Sequence, residues 1–247
     1  MSKISLTFSV VALATFAAGR SITVTNNCAY TVWPGLFTTP GAGPIPDAPT
    51  GWQADPGTST TITVPENWTS GRIWGRTECD FSTSGTGPTQ CATGGCNGGL
   101  LCDPTTGTGV PPASLAEWTL GDTDSYDVSI VDGTNVPLSV TAANCPTADC
   151  SADLNPGCPV ELQAKDASGA IVGCKSACFA NLDGNQADSA NCCSGSHNTP
   201  ATCPASGVQD LPYFKNGCPN AYTFAYDDTA ALKACSAKSD YTLTFCP

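Results

Sequence analysis

Glu117 is one of only four glutamates in a chain of 247 residues, and it sits in "LAEWTL" between Leu115, Ala116 and Trp118. A carboxyl group among apolar neighbours holds its proton to higher pH, because burial penalises the charged form. That is the property of a general acid. Two more acids, Asp127 and Asp132, follow in "YDVSIVDG". Glycoside hydrolysis needs two carboxyl groups flanking the scissile bond. One protonates the leaving oxygen, and the other serves as nucleophile or as base for water. Asp127 and Asp132 are five residues apart, so on a straight strand they would face opposite sides. Asp132 precedes Gly133 in a turn, however, and a turn can redirect it. Two of the chain's three arginines, Arg72 and Arg76, lie in "GRIWGRTECDF" at 71–81. Their even spacing puts both on one face of a regular strand. Blander readings stand beside these: Asp-Gly is ordinary hairpin chemistry, Glu117 can be a solvated strand residue, and Arg76 can lie over Trp74. The residues come from separated segments, so only the fold can unite them.

The elements that must do so are strands. "SITVT", "TSTTITVP", "YDVSIVDG", "VPLSV" and the terminal "YTLTFCP" alternate apolar and polar residues with period two, as half-buried strands do. Pro-Gly at 34–35 and 56–57 and Asp-Gly at 132–133 read as turns between them. With 25 Gly and 20 Pro, long helices are not expected; "VGCKSACFANL" supports one or two helical turns over 175–181. Cysteines are absent from 29–78 and 103–144 but crowd 79–102 and 145–203. The cysteine-free parts read as a β-sandwich core and the dense parts as loop-rich excursions stapled to it.

Residues 4–18 are an uncharged apolar run after Lys3, ending in small residues. This is a secretory signal peptide, expected to span 1–19, and too short for a membrane span of about 20 residues. In an exported chain sixteen cysteines read as eight disulfides. A zinc site is disfavoured by the single histidine, His197, and the absence of Cys-x-x-Cys pairs, so no cofactor or metal is expected. No Ser-His-Asp motif is present. Lys+Arg number 9 against 21 Asp+Glu; the leader takes Lys3 and no acid, so the mature net charge moves from −12 to −13. That excludes a nucleic-acid partner, which needs clustered cations, and disfavours anionic lipid. Asn67-Trp68-Thr69 is the glycosylation sequon. The roughly 228 mature residues suffice for a hydrophobic core without help from disulfides.

"GRIWGRTECDF" resembles the signature of thaumatin-like proteins, the pathogenesis-related group 5 family. "LAEWTL", "YDVSIVDGTNVPLSV", "VGCKSACF", "CPNAYTFAYDD", the terminal "FCP" and the sixteen cysteines resemble it too, over essentially the whole mature chain. Sixteen cysteines alone allow roughly two million pairings. The resemblance implies Cys28–Cys246, Cys79–Cys91, Cys96–Cys102, Cys145–Cys235, Cys150–Cys218, Cys158–Cys174, Cys178–Cys192 and Cys193–Cys203. It implies a mainly β fold: a flattened antiparallel sandwich of about eleven strands built from about 20–76, 108–151 and 219–247. A small disulfide loop subdomain would take 77–107 and a large cysteine-rich one 152–218. Two departures stand out. "GTGPTQCATGGC" carries two intruding residues before Cys91, and Gly95 where the family has Asp, so the small subdomain is expected to differ in shape. Residues 39–49, "TPGAGPIPDAP", read as a stiff surface loop.

The resemblance further implies a cleft lined by one Arg, one Glu and three Asp, matched here by Arg76, Glu117, Asp127, Asp132 and Asp227. On this reading Glu117 is the acid and Asp132 its carboxylate partner. Asp127 and Asp227 hold sugar hydroxyls, Arg76 keeps nearby carboxylates ionised, and Phe81 and Tyr126 are the aromatics that stack on sugar rings. Arg72 is a surface partner. The implied function is that of a secreted, extracellular or cell-wall monomer. It binds β-1,3-glucan or a related wall polysaccharide and hydrolyses it weakly as an endo-β-1,3-glucanase, in antifungal defence or fungal wall remodelling. A non-catalytic glucan-binding module and a membrane-perturbing antifungal protein are the alternatives. The acidic charge disfavours the latter, and also a sweet-taste role.

Overall fold

A computed structural model describes residues 19–82 and 87–247. The expected leader lies outside the described residues, apart from Gly19, which opens the first strand. One five-stranded sheet contains β1 (Gly19–Asn26), β3 (Ser59–Pro65), β7 (Leu138–Ala142), β8 (Ala148–Cys150) and β12 (Tyr241–Phe245), in the order β3-β1-β12-β7-β8. The second contains β2 (Trp33–Thr38), β4 (Gly71–Arg76), β5 (Leu115–Thr119), β6 (Asp124–Ser129) and β11 (Lys233–Cys235), in the order β11-β6-β5-β4-β2. A hairpin of β9 (Gln163–Lys165) and β10 (Ile171–Cys174) stands in the large subdomain, with α1 (Leu211–Gly217) and α2 (Asp228–Ala231) following. The second sheet is antiparallel throughout. In the first, β1 and β12 pair in parallel, Ile22 against Tyr241 through Asn26 against Phe245, so the first and last strands lie side by side in its middle.

The core lies between the two sheets. Alternation along each strand sends Ile22 and Val24, Leu138 and Val140, Tyr241, Leu243 and Phe245 inward from one side. Ile73, Ala116, Trp118, Tyr126 and Val128 meet them from the other. The outer face of the second sheet carries the residues in between. Half of it is covered by a second apolar cluster in which Phe37, Trp74 and Leu115 pack beneath Cys96 and Cys102 of the small subdomain. The other half is left for polar side chains.

Two local expectations change. Pro34-Gly35 is not a turn but part of β2. Proline is tolerated because β2 is the edge strand of its sheet. Gly35 is required because the Trp74 ring lies 2.5 Å from where a Cβ would sit. Residues 175–181 form turns, with Ala180 N donating to Ser176 O, rather than a helix. The helix forms instead at Leu211–Gly217, where Pro212 sits in the first turn and Leu211 and Phe214 are buried. In the small subdomain, a side chain at Gly95 would meet the Pro88 carbonyl at 1.8 Å. The Pro88 main chain thus takes the space that a side chain at 95 would need.

All eight disulfides join the pairs implied by the resemblance, and no described cysteine is free. Cys28–Cys246 spans 218 residues and ties the two central strands' ends together. A loop of that size restrains the unfolded chain by ~5 kcal/mol. The double substitution Cys28→Ser with Cys246→Ser is therefore expected to keep the fold, since β1 and β12 remain paired, while lowering Tm by on the order of 10 °C. Thermal unfolding followed by circular dichroism checks this; an unchanged Tm would remove the bridge's role.

Candidate functional site

A row of charged side chains crosses the bare half of the second sheet. Arg72 on β4 is in register with Glu117 on β5, and Glu117 is in register with Asp127 on β6. Their flanking residues, Ile73, Ala116, Trp118, Tyr126 and Val128, point into the core, which sends these three outward. Arg72 Nη2 is 3.1 Å from Glu117 Oε1, and Arg72 Nη1 donates to Thr108 Oγ1 at 3.2 Å. Glu117 and Asp127 sit directly opposite, where cross-strand Cβ atoms are about 4.5–5.5 Å apart and like charges destabilise. The site is crowded and only partly open to solvent: Arg72 Nε and Asp127 Oδ1 are buried without a hydrogen-bond partner among the described residues, while Asp132 stands exposed.

Asp132 joins from the turn after β6. Gly133 has φ +92°, and its N–H donates to Ile130 O at 2.9 Å. A Cβ at 133 would also meet the Cys174 carbonyl at 2.4 Å, so glycine is needed there twice over. Asp228, at the start of α2, accepts from Tyr222 Oη at 2.6 Å and completes the cluster. The row separates two depressions. One of 380 Å³ is bordered by Arg72, Glu117, Asp127, Asp132, Tyr222 and Asp228. The other, of 280 Å³, is bordered by Arg72, Glu117 and Asp127 again, with Ser125, Thr39 and Leu232.

Protonation follows from this crowding. Burial pushes Asp127 up to about 8, helped by Glu117 and Asp228 and opposed by Arg72. Burial also raises Glu117, with Arg72 opposing and Asp132 adding to it. Asp132 is raised by burial against the pull of Arg72. A raised carboxyl pKa means the native state keeps a proton that the unfolded chain has lost. The stability this contributes is full below the ordinary value of 3.8 and is lost as pH climbs towards 8. Asp124, paired with Arg20, is shifted the other way and matters only below that window. Asp127→Asn is neutral at every pH, so it is expected to shrink the fall in Tm between about pH 4 and about pH 8. A fall as large as in the native protein would contradict the buried proton.

The structure brings Glu117, Asp127 and Asp132 together and leaves four expected residues elsewhere. Arg76 does not reach the carboxylates. β5 pairs with β4 only from Gly71 to Trp74, so Arg76 runs past its end. Its guanidinium is fully buried and donates to Trp33 O (2.8 Å), Pro34 O (3.0 Å), Gly99 O (2.7 Å) and Leu100 O (2.8 Å). With no carboxylate beside it, burial lowers its pKa to about 10. Arg72, expected as a surface partner, is the arginine of the row. Asp227 turns away to accept from Lys215 Nζ (2.7 Å) and Thr223 Oγ1 (2.8 Å), fixing α1 to the following loop, and Asp228 takes its place. Tyr126 is in the core, its ring edge-on to Tyr241 and its hydroxyl on Pro146 O. It neighbours Asp127 in sequence and so faces the opposite side of the sheet. Phe81 packs edge-on against Trp33 and under the Arg76 guanidinium, 5.4 Å from its ring. The register of β4 on β5 is what selects Arg72; residue parity alone gives both arginines the same face. Asn67, the first residue of the sequon, is exposed in the turn between β3 and β4.

Comparison with known proteins agrees with this architecture. A sequence model described as "Thaumatin family" matches residues 26–247. A pathogenesis-related thaumatin-like protein 3.5 of Cryptomeria japonica is 45% identical over 93% of this chain and 91% of its own. A protein of Prunus avium named glucan endo-1,3-beta-glucosidase is 40% identical over 94% and 92%. The crystal structure of a laminaripentaose-producing β-1,3-glucanase in complex with laminaritetraose superposes with a TM-score of 0.55, covering 93% of this chain and 99% of that one. At 14% identity that likeness concerns the fold alone. From the sixteen bridged cysteines to the terminal strand, the chain belongs to the thaumatin family.

Proposed function

We propose that the protein is a secreted thaumatin-like defence protein that binds β-1,3-glucan across the Arg72–Glu117–Asp127 row and hydrolyses it slowly at an internal bond. The observation that carries this reading is the pairing of Glu117 with Asp127 in register, both raised and bordering one depression with Asp132. Two carboxyl groups forced opposite one another hold a proton between them into the neutral range. Asp127, its Oδ1 buried, stays neutral, and Glu117, raised by its own burial, carries the proton that goes to the glycosidic oxygen. As that oxygen leaves with the proton, Asp132 supplies the electron pair. It either attacks the anomeric carbon, forming a glycosyl ester that water activated by Glu117 then hydrolyses, or takes a proton from the water that attacks. Depressions on both sides of the row suit a chain that continues past the reacting bond, hence endo cleavage. The Prunus avium relative's name supports the substrate class. Eight disulfides favour an oxidising, extracellular setting, and no helix among the described residues is long and apolar enough to cross a membrane.

Incubating purified protein with insoluble and soluble β-1,3-glucan tests the proposal. Retention on the insoluble polymer together with new reducing ends from the soluble one is the expected result. Retention without new ends would leave a binding module. Neither, with dye release from vesicles, would favour the membrane-active reading.

A further inference from the structure

A larger cavity lies away from the carboxylate row. It measures 530 Å³ and opens where the three parts of the chain meet, a volume typical of small-ligand pockets. Tyr30, Thr31 and Trp33 form its wall from the sandwich, and Thr77 and Glu78 form the wall from the small subdomain. Asp153, Asn155, Pro156, Ile171 and Val172 close it from the large one. Each wall is pinned close by. Cys28–Cys246 lies two residues from Tyr30, Cys79–Cys91 is next to Glu78, and Cys158–Cys174 braces both the 153–156 turn and β10. A cavity so braced is preorganised, and a ligand would lose little by ordering it.

Its chemistry is selective. Two aromatic rings, Tyr30 and Trp33, face it beside the apolar Ile171 and Val172. Tyr30 is 46% exposed, although the protein has ample core to bury it. Two carboxylates, Glu78 and Asp153, stand at its margin, and no lysine, arginine or histidine lines it. The nearest guanidinium, Arg76, is sealed behind Trp33 with its donors taken by main-chain carbonyls. The Asn155 side chain donates to Asn135 O at 2.8 Å, while its own Oδ1 is buried with no donor among the described residues. That leaves an acceptor-rich, negatively charged pocket with π faces. A phosphate or a uronic acid would be repelled, and a neutral sugar would offer the two carboxylates hydroxyl hydrogen bonds but no charge to offset theirs. A protonated amine on a ring fits, because it can pair with a carboxylate and lie over an aromatic face at once.

We propose that this junction is a second binding site, separate from the acidic row, for a ring-bearing cation of the amino-sugar class. The ligand's ring stacks on Trp33 and Tyr30, and its ammonium group is held between Glu78 and Asp153. Nothing in this assignment depends on glucan hydrolysis.

Trp33 supplies the signal for a titration by intrinsic fluorescence. The probes are a fully deacetylated glucosamine oligomer, its N-acetylated counterpart and a β-1,3-glucose oligomer, at acidic pH and low salt. The native protein is expected to bind the glucosamine oligomer at least about tenfold more tightly than either neutral probe, with affinity falling as salt screens the pair. Glu78→Gln with Asp153→Asn is expected to lose that preference while keeping its Tm and any glucan hydrolysis. Asn at 153 retains the side-chain oxygen that accepts from Asn155 N, so the turn is preserved. No binding of the glucosamine oligomer, equal binding of its acetylated form, or full affinity in the double variant would each overturn the assignment.

Discussion

Arg76→Met is expected to lower the stability of the protein by about 3–5 kcal/mol, a fall in Tm of ~10 °C or more. The substitution keeps the bulk of the side chain but leaves the carbonyls of Trp33, Gly99 and Leu100 without the guanidinium donor, and Pro34 O with Trp52 N at 3.3 Å. Each buried orphan costs about 1–3 kcal/mol, partly offset because a buried cation with no counter-ion is removed at the same time. Lysine would not rescue it, since one point charge cannot serve carbonyls arranged around a planar fork. Arg72→Met, four residues away on the same strand face, is expected to change Tm by little. Its ion pair with Glu117 is partly open to solvent, with the two side chains 25% and 29% exposed. It acts on chemistry instead, because losing the cation leaves Glu117, Asp127 and Asp132 to raise one another's pKa further. Thermal melts of the two variants side by side distinguish the roles; equal melts would contradict the division.

Glu117→Gln is expected to reduce release of reducing ends from soluble β-1,3-glucan by about 10²–10⁴-fold, the usual contribution of a general acid. The amide fills the same volume and can still accept from Arg72, so glucan retention should persist. Asp127→Asn should behave differently. It puts a neutral amide where a carboxyl already stays neutral up to about 8, so the field at Glu117 is unchanged below that pH. The pH profile of activity should then keep its shape, with the rate largely kept. A uniform loss at all pH values would instead make Asp127 a direct participant in bond cleavage.

Much of this was legible in the chain because strands declare themselves by alternation. "SITVT", "YDVSIVDG" and "YTLTF" do so, and the same alternation that buries Ala116, Trp118, Tyr126 and Val128 sends Glu117 and Asp127 outward. The arginine was not legible, because Arg72 and Arg76 share parity and differ only in where β5 ends. That end is a property of register between distant segments, which no local pattern encodes. Asp227 and Asp228 pose a related problem: the pair sits at the start of a short helix, not on a strand, and Lys215 on α1 decides which one is drawn away. Pro34-Gly35 misleads for a third reason, since its turn-like chemistry serves an edge strand pressed against Trp74. Tyr126, next to Asp127 in sequence, faces the core because neighbouring strand residues diverge.

The most direct measurement is a crystal structure of the Glu117→Gln protein with a β-1,3-linked glucose oligomer. The account predicts sugar rings in both depressions, with a glycosidic oxygen within hydrogen-bond reach of residue 117 and Asp132 across the ring from it. An oligomer bound only elsewhere on the molecule, with the Arg72–Glu117–Asp127 row bare, would contradict it.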